Sequence, residues 1–190
     1  MKEPKTNLTL ISEKNKNFSE VFVGTNCNSP VGKCFIAWAI SDNSNVLICF
    51  LAFTENPNNL TTAQSDLKKL LPDACFKEDH KEAVKLISKI FAKEDKTQIQ
   101  LLIKGTEFQE KVWQLLRGIP MGEIRTYKQQ SEILGNPKAI RAVGTANGIN
   151  KIAILIPCHR VIGSNGELVG YAGGIWRKQK LLELEKAILF

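Results

Sequence analysis

The point in this sequence where bond-making chemistry is easiest to place is Pro157-Cys158-His159-Arg160, a thiol beside an imidazole and a guanidinium, directly behind the apolar run Ile152 to Ile156. Free cysteine has a pKa near ~8.5, so little of it is thiolate at neutral pH unless a base or a positive field assists. His159 and Arg160 are the candidates to assist. Neighbouring side chains of an extended strand point to opposite faces. Cys158 and His159 therefore cooperate only if the chain turns, which Pro157 favours, or if a water relays the proton. The bland alternative is a buried apolar cysteine next to a satisfied core histidine, since cysteine ranks among the most buried residue types. The tetrapeptide alone leaves both open.

Other chemistries are poorly supplied. The chain holds Cys27, Cys34, Cys49, Cys75 and Cys158 but no Cys-x-x-Cys or Cys-x-x-His pair, and Cys27 and Cys34 stand too far apart for a zinc knuckle. Gly170 to Gly174 lacks the Lys-Ser that follows a phosphate-cradling loop. No metal and no cofactor is expected. An odd, irregular cysteine set in a chain large enough to bury a core reads as reduced thiols in a cytosolic or nuclear compartment.

The elements that must hold Cys158 lie mostly in the second half. Thr106 with Gln109, and Thr126 with Gln129, are capping-box patterns that open two helices, one ending near Gly118 and one running to about Leu134 and stopping at Gly135. Asn136 as N-cap with Pro137 in the first turn predicts a third helix to about Ala146, with small residues at Ala139, Ala142, Gly144 and Ala146. Helix, short break, helix is the length pattern of a helix-turn-helix. Ile152 to Ile156 reads as a buried strand or core segment. Asn165-Gly166 predicts a hairpin between Val161-Ile162 and Leu168-Val169. A loop at Gly170 to Gly174 then leads to a last helix from about Trp176 to Glu185.

The first half reads differently. Residues 1 to 20 predict an edge strand or a loose arm with Leu8, Leu10 and Ile11 as its only pattern. Cys34 to Ile40 and Val46 to Phe53 form a hairpin across a polar turn, and two amphipathic helices follow, on Leu60, Ala63, Leu67, Leu70 and Leu71 and on Ala83, Val84, Ile87, Ile90 and Phe91. A strand from Gln98 to Ile103 closes a small α/β layer. The domain boundary falls near Lys104-Gly105, giving domains 1–104 and 105–190.

Composition agrees with a globular protein. With 190 residues, 43% hydrophobic and 24% charged, disorder and fibrous classes are excluded. Runs such as Val46 to Phe53 fall far short of the roughly 18 residues a membrane helix needs, and Met1 to Leu10 does not read as a secretory signal. The expected location is cytoplasmic, or nuclear in a eukaryote. Residues 1–100 hold 13 Lys, no Arg and 12 acids, whereas residues 101–190 hold 8 Lys, 5 Arg and 7 acids. A basic, arginine-bearing second half points to an anionic partner, nucleic acid first, with a solvated basic face as the alternative.

Three motifs in order now combine. Gly135-Asn136-Pro137-Lys138-Ala139-Ile140-Arg141-Ala142-Val143-Gly144, then Ile156-Pro157-Cys158-His159-Arg160-Val161, then Gly170-Tyr171-Ala172-Gly173-Gly174 closely resemble the O6-alkylguanine-DNA alkyltransferases, or methylated-DNA-protein-cysteine methyltransferases. The likeness is dense from about Gly105 to Glu185 and fainter at Asn28-Ser29-Pro30-Val31-Gly32-Lys33. It implies an α+β protein of two domains, ribonuclease-H-like at the amino terminus and winged-helix-like, with a helix-turn-helix, at the carboxy terminus. It also implies stoichiometric transfer of an alkyl group from O6 of guanine, and from O4 of thymine, to the protein's own cysteine. The implied partner is double-stranded DNA carrying such a lesion, bound by a monomer through the minor groove with the damaged nucleotide flipped out.

The resemblance also assigns roles. Cys158 matches the alkyl acceptor, His159 its base through a water, and Glu185 the carboxylate that orients the imidazole, while Asn150 matches the residue that braces the turn. Tyr127 falls where a tyrosine rotates the 3′ phosphate and favours departure of guanine. Arg141 falls where an arginine fills the gap left by the flipped nucleotide. With Arg141 and Tyr127, the DNA-binding set is Asn136, Ala139, Ala142, Lys128 and Ser164. The base pocket is Tyr171, Ala172, Gly173, Ala153, Val169 and Lys178. Ala172 and Ala153 depart from the hydroxyl residue and the proline of some relatives, which bears on tolerance for bulky groups. No cysteine-rich domain of the adaptive-response regulators is seen, so no transcriptional role is expected. Two rivals from other classes are a DNA-binding sensor without transfer activity, which has no need of Cys158, and a cysteine hydrolase, which would release product in steady turnover.

Overall fold

The computed structural model describes residues 9–12, 18–54, 57–92 and 99–187. The chain divides into two compact units, Met1–Lys104 and Gly105–Phe190. Both mix helix and strand.

The first unit is a six-stranded mixed sheet. Its strands are β1 (Thr9–Ser12), β2 (Glu20–Ser29), β3 (Gly32–Ile40), β4 (Val46–Phe53), β5 (Cys75–Glu78) and β6 (Gln100–Ile103), in the order β1-β6-β4-β3-β2-β5. The expected hairpin is β3 paired antiparallel with β4. Its near-continuous apolar sequence follows from burial on both faces, as in other sheets covered by helices. Helix α1 (Pro57–Leu70) sets Ala63 and Leu67 against Val21, Val23, Phe35, Ala37, Leu47 and Cys49. Alternation along β2 turns Gly24 to the opposite face, where helix α2 (His80–Phe91) packs, its start capped by the Asp79 carboxylate accepting from Glu82 N at 2.9 Å.

Thr9–Ser12 is an edge strand, parallel to β6. Leu8 and Gln98 lie outside the described residues. The sequence reading did not anticipate β2 or β5. In β2 a bulge between Gly24 and Cys27 breaks the alternation that would signal a strand. The four residues of β5, mostly exposed, carry no hydrophobic period.

The second unit opens with α3 (Glu107–Arg117) and α4 (Tyr127–Ile133), both started by complete capping boxes, on Thr106 with Gln109 and on Thr126 with Gln129. Helix α5 (Ile140–Gly148) begins three residues later than the Asn136-Pro137 signal suggests. Ala139 N closes a turn onto Asn136 O at 2.9 Å, so Asn136 starts a turn and caps no helix. Val112, Val143 and Ala146, flanked by Phe108, Tyr127 and Leu134, bind α3, α4 and α5 together. Two polar contacts fix the geometry: Trp113 Nε1 donates to Ala146 O at 2.9 Å, and the buried Asn147 Nδ2 donates to Gln130 Oε1 at 3.2 Å. Helix α6 (Ile175–Leu184) ends the described fold.

Of the two readings of Ile152 to Ile156, the core segment is the one found: Ile152, Leu155 and Ile156 are buried, Ile156 N donates back to Ile152 O at 3.0 Å, and Ile154 sits at φ 70°. The hairpin expected after Val161-Ile162 needs correction. The turn at Asn165-Gly166 forms, yet Leu168-Val169 does not pair with Val161-Ile162. Instead β8 (Val161–Ile162) pairs parallel with β7 (Arg125–Thr126). The Lys178 ammonium lies between the would-be hairpin strands, donating to Val161 O and Val169 O, and so takes carbonyls a ladder would use.

The close approach of β2 to α2 depends on Gly24, where a Cβ would run into the Cβ of Ala83. Gly24→Ala should lower stability by about 1–3 kcal/mol, the usual cost of overpacking. Gly24→Ala combined with Ala83→Gly should recover most of that loss, less the roughly 1 kcal/mol of a helical glycine. Urea midpoints measure both; a double variant no more stable than the single one would refute the contact.

Candidate active site

Cys158 sits in a tight double turn. Pro157, at φ −82° and ψ 61°, has the geometry of an inverse γ-turn, closed by Cys158 N donating to Ile156 O at 2.8 Å. A single 3-10 turn, Cys158–Arg160, follows at once. The chain therefore turns where the proline allows it, and Cys158 and His159 are not on opposite faces of a strand. Before it, Ile154 is a β-branched residue in left-handed conformation, a local cost of about 1–3 kcal/mol. Asn150 spans that strained stretch: its Oδ1 accepts from Ile152 N at 2.9 Å, and its Nδ2 donates to Ile156 O at 2.9 Å and to the Cys158 Sγ at 3.3 Å.

Glu185, at the carboxy-terminal cap of α6, gathers the next two residues. Oε1 accepts from His159 Nε2 at 3.0 Å and from Arg160 Nη2 at 2.8 Å, and Oε2 accepts from Arg160 Nε at 2.8 Å. Arg160 Nη1 donates to Ile119 O at 2.5 Å. Burial would raise the Glu185 carboxyl, but the hydrogen bonds from His159 and Arg160, together with the Arg160 charge, override it and hold the group at about 2. His159 is fully buried. Burial lowers its pKa, with the Arg160 and Lys178 charges acting the same way against Glu185. The ring is thus neutral, and because an ionised carboxylate only accepts, its proton is on Nε2. Nδ1 has no partner among the described residues.

Cys158 as a residue is buried, 8% exposed. Burial raises its pKa, opposed by the Asn150 hydrogen bond, the Lys178 charge and a backbone hydrogen bond. Arg160, expected to assist the thiol, is committed to Glu185 and Ile119. The positive field at the sulfur comes from Lys178, whose side chain is buried and whose pKa burial lowers to about 8 against the pull of Cys158. Its Nζ lies 6.0 Å from the centre of the Tyr127 ring. Tyr127 is half-buried, its hydroxyl 3.4 Å from both Val169 O and Gly170 O, and its pKa is raised by burial and then by Cys158. Gly170, at φ 63°, is needed here twice over, since a Cβ would come 2.8 Å from the Tyr127 hydroxyl. The Tyr171 ring stands edge-on to His159 at 6.4 Å.

Cys158, His159, Glu185, Asn150, Tyr127, Lys178 and Tyr171 are therefore one cluster. Ala153 is half-buried in the turn before Cys158, while Val169, Ala172 and Gly173 belong to the loop that carries Tyr171. The others lie on open surface. Arg141 and Ala142 are exposed on α5, Asn136 and the half-buried Ala139 are in the turn before it, Lys128 is exposed on α4, and Ser164 is exposed in the turn after β8. The structure adds Arg177, nine-tenths buried, whose Nη1 donates to Gly173 O at 2.7 Å. A signal for it existed: Arg177 and Lys178 fall one helical turn before the buried Leu181 and Leu182, on the same stripe.

A family model described as the DNA-binding domain of 6-O-methylguanine DNA methyltransferase matches residues 107–187. The Methanosarcina acetivorans methylated-DNA-protein-cysteine methyltransferase is 49% identical over 118 residues, covering 60% of this chain and 76% of that protein. This chain belongs to the methylated-DNA-protein-cysteine methyltransferase family. A Mycobacterium bovis methylated-DNA-protein-cysteine methyltransferase is 56% identical over 89 residues, and this chain spans 54% of its length. The crystal structure of Mycobacterium tuberculosis O6-methylguanine methyltransferase matches with TM-score 0.66 and 37% identity over 87% of this chain and 93% of that one. A structure of the M. tuberculosis protein in complex with DNA matches with TM-score 0.63.

The Glu185 clamp has a measurable pH signature. A carboxyl held at about 2, below its ordinary 4.5, adds stability that is full above pH 4.5 and is lost as pH falls towards 2. Glu185→Gln should cost on the order of 3 kcal/mol at neutral pH, because the largely buried Arg160 is left without its anion. Urea midpoints across pH 2 to 5 should fall less steeply in the variant; parallel profiles would show that Glu185 is not held by this pair.

Proposed function

We propose that this protein repairs DNA by moving a methyl or small alkyl group from O6 of guanine, and from O4 of thymine, in duplex DNA onto Cys158, once per molecule. The observation that carries this reading is a buried thiol, held by Asn150, beside an imidazole whose Nε2 is tied to Glu185 and whose Nδ1 has no partner among the described residues. Family membership and the likeness to a DNA-bound relative support the substrate class.

The chemistry then runs as follows. The sulfur proton passes to His159, through a water where the two do not touch, and Glu185 stabilises the imidazolium that forms. Sulfur attacks the alkyl carbon, the C–S bond forms as the C–O bond breaks, and the electron pair leaves with guanine. Tyr127 assists that departure by hydrogen bonding. Lys178 and Asn150 stabilise charge on sulfur in the transition state, where burial alone would oppose it. The thioether has no carbonyl for water to attack, so the cysteine is not regenerated.

A base within the stack hides its O6 substituent, so the nucleotide must be flipped at a cost of a few kcal/mol. Arg141, exposed at the start of α5, is placed to fill the vacated space, and the small faces of Ala139 and Ala142 suit close approach to the minor groove. Asn136, Lys128 and Ser164 offer polar or charged groups to the backbone. In finer detail we read the first unit as ribonuclease-H-like and the second as winged-helix-like, the α4–α5 pair serving as its helix-turn-helix.

Mixing the protein with duplex carrying labelled O6-methylguanine should place label on Cys158 up to one methyl per chain and no further, with none on Cys158→Ser. Label beyond that ceiling, or undiminished in the variant, would overturn the mechanism.

A further inference from the structure

The loop from Val169 to Gly174 is fastened at its two ends by consecutive cations of α6. Lys178 Nζ holds Val169 O, and Arg177 Nη1 holds Gly173 O at 2.7 Å. Between these points the loop carries Tyr171, edge-on to His159, and otherwise only Gly170, Ala172 and Gly173, with Gly174 following. Apart from Tyr171, a wall made of such residues has almost no side-chain bulk. Its distance from the sulfur is set by where its backbone is held.

Arg177 is built to hold it. Its guanidinium is 4.3 Å from the centre of the Trp176 ring, stacked on an indole that is itself 55% exposed, while the arginine is 5% exposed. The planar fork is thus fixed by the ring, and its Nη1 is aimed at the Gly173 carbonyl. In the segment it restrains, Gly174 N donates to Tyr171 O at 3.0 Å, and Gly174 adopts φ 91° and ψ 144°, a conformation open essentially to glycine, where a Cβ would contact the Trp176 ring. No step of the alkyl transfer uses Arg177.

We propose that Arg177, clamped by Trp176, is a specificity-determining positioning residue that fixes the Gly173 carbonyl and so limits the size of the alkyl group admitted beside Cys158. This rests on the reading above, in which the Tyr171 to Gly173 loop lines the base pocket. Releasing the carbonyl lets the wall give way, which favours a bulky substituent over a methyl group.

The test compares two duplexes identical except for O6-methyl or O6-benzyl at one guanine, so that effects on DNA binding cancel, with the rate of each adduct on Cys158 read by mass. In Arg177→Ala the benzyl-to-methyl rate ratio should rise roughly tenfold, the scale of one hydrogen bond to a charged donor. Arg177→Lys, which keeps a donor but not the planar face, should give an intermediate ratio. Trp176→Ala, at an exposed position the fold tolerates, should shift the ratio the same way by less. If the wild-type chain transfers methyl but all three variants keep its ratio, with both rates falling together, Arg177 is only part of the core and the proposal is wrong. If the wild-type chain takes up neither group, the functional reading fails and the pocket falls with it.

Discussion

Three N–H groups from two consecutive residues, His159 and Arg160, converge on the Glu185 carboxylate, and the placement of Cys158 follows from that convergence. A 3-10 turn of three residues has little stability of its own. Here it is fastened from one side by Glu185 at the end of α6 and from the other by Asn150, which spans the strained Ile154 and reaches the sulfur. The thiol at the head of the turn is thus fixed by Glu185 and Asn150, neither of which forms a covalent bond in the transfer. Arg160 has a structural office: by neutralising Glu185 in a buried place it lets the carboxylate stay ionised, and an ionised carboxylate is what dictates the proton position on His159.

Burial and polarity oppose one another at the sulfur. Exclusion of water raises the thiol pKa and would by itself make a poor nucleophile, while Lys178 and Asn150 pull the other way. A thiol that stays protonated until a base takes its proton is protected from casual oxidation, and the same dry setting strengthens each dipole aimed at the charge that develops on sulfur. Lys178 carries a double load, since its ammonium also joins Val161 O to Val169 O and stands in for the hairpin ladder that Asn165-Gly166 had announced.

Much of the second unit was legible because its elements begin with local chemistry. Thr106 with Gln109 and Thr126 with Gln129 are satisfied within four residues, and tertiary context had no reason to override them. The Asn136-Pro137 signal misled because the same residue types open turns as readily as helices. In the first unit β2 was hidden by its bulge and β5 by its exposure. The motif residues Cys158, His159, Glu185, Asn150 and Tyr127 do meet in space, but the division of labour among the cations could not be read from the sequence. Arg160 adjoins the cysteine and is spent on Glu185, whereas Lys178, twenty residues on, supplies the field at the sulfur. Sequence neighbours are not electrostatic neighbours once a tight turn intervenes.

The protonation of one ring bears most directly on this arrangement. Long-range ¹H–¹⁵N NMR on protein labelled at histidine reports the tautomer and charge of His159, with His80 the other histidine in the chain. At neutral pH the expected spectrum is that of a neutral imidazole protonated on Nε2 with Nδ1 bare. An imidazolium, or a proton resident on Nδ1, would contradict the role given to Glu185 and remove the proposed base from the site.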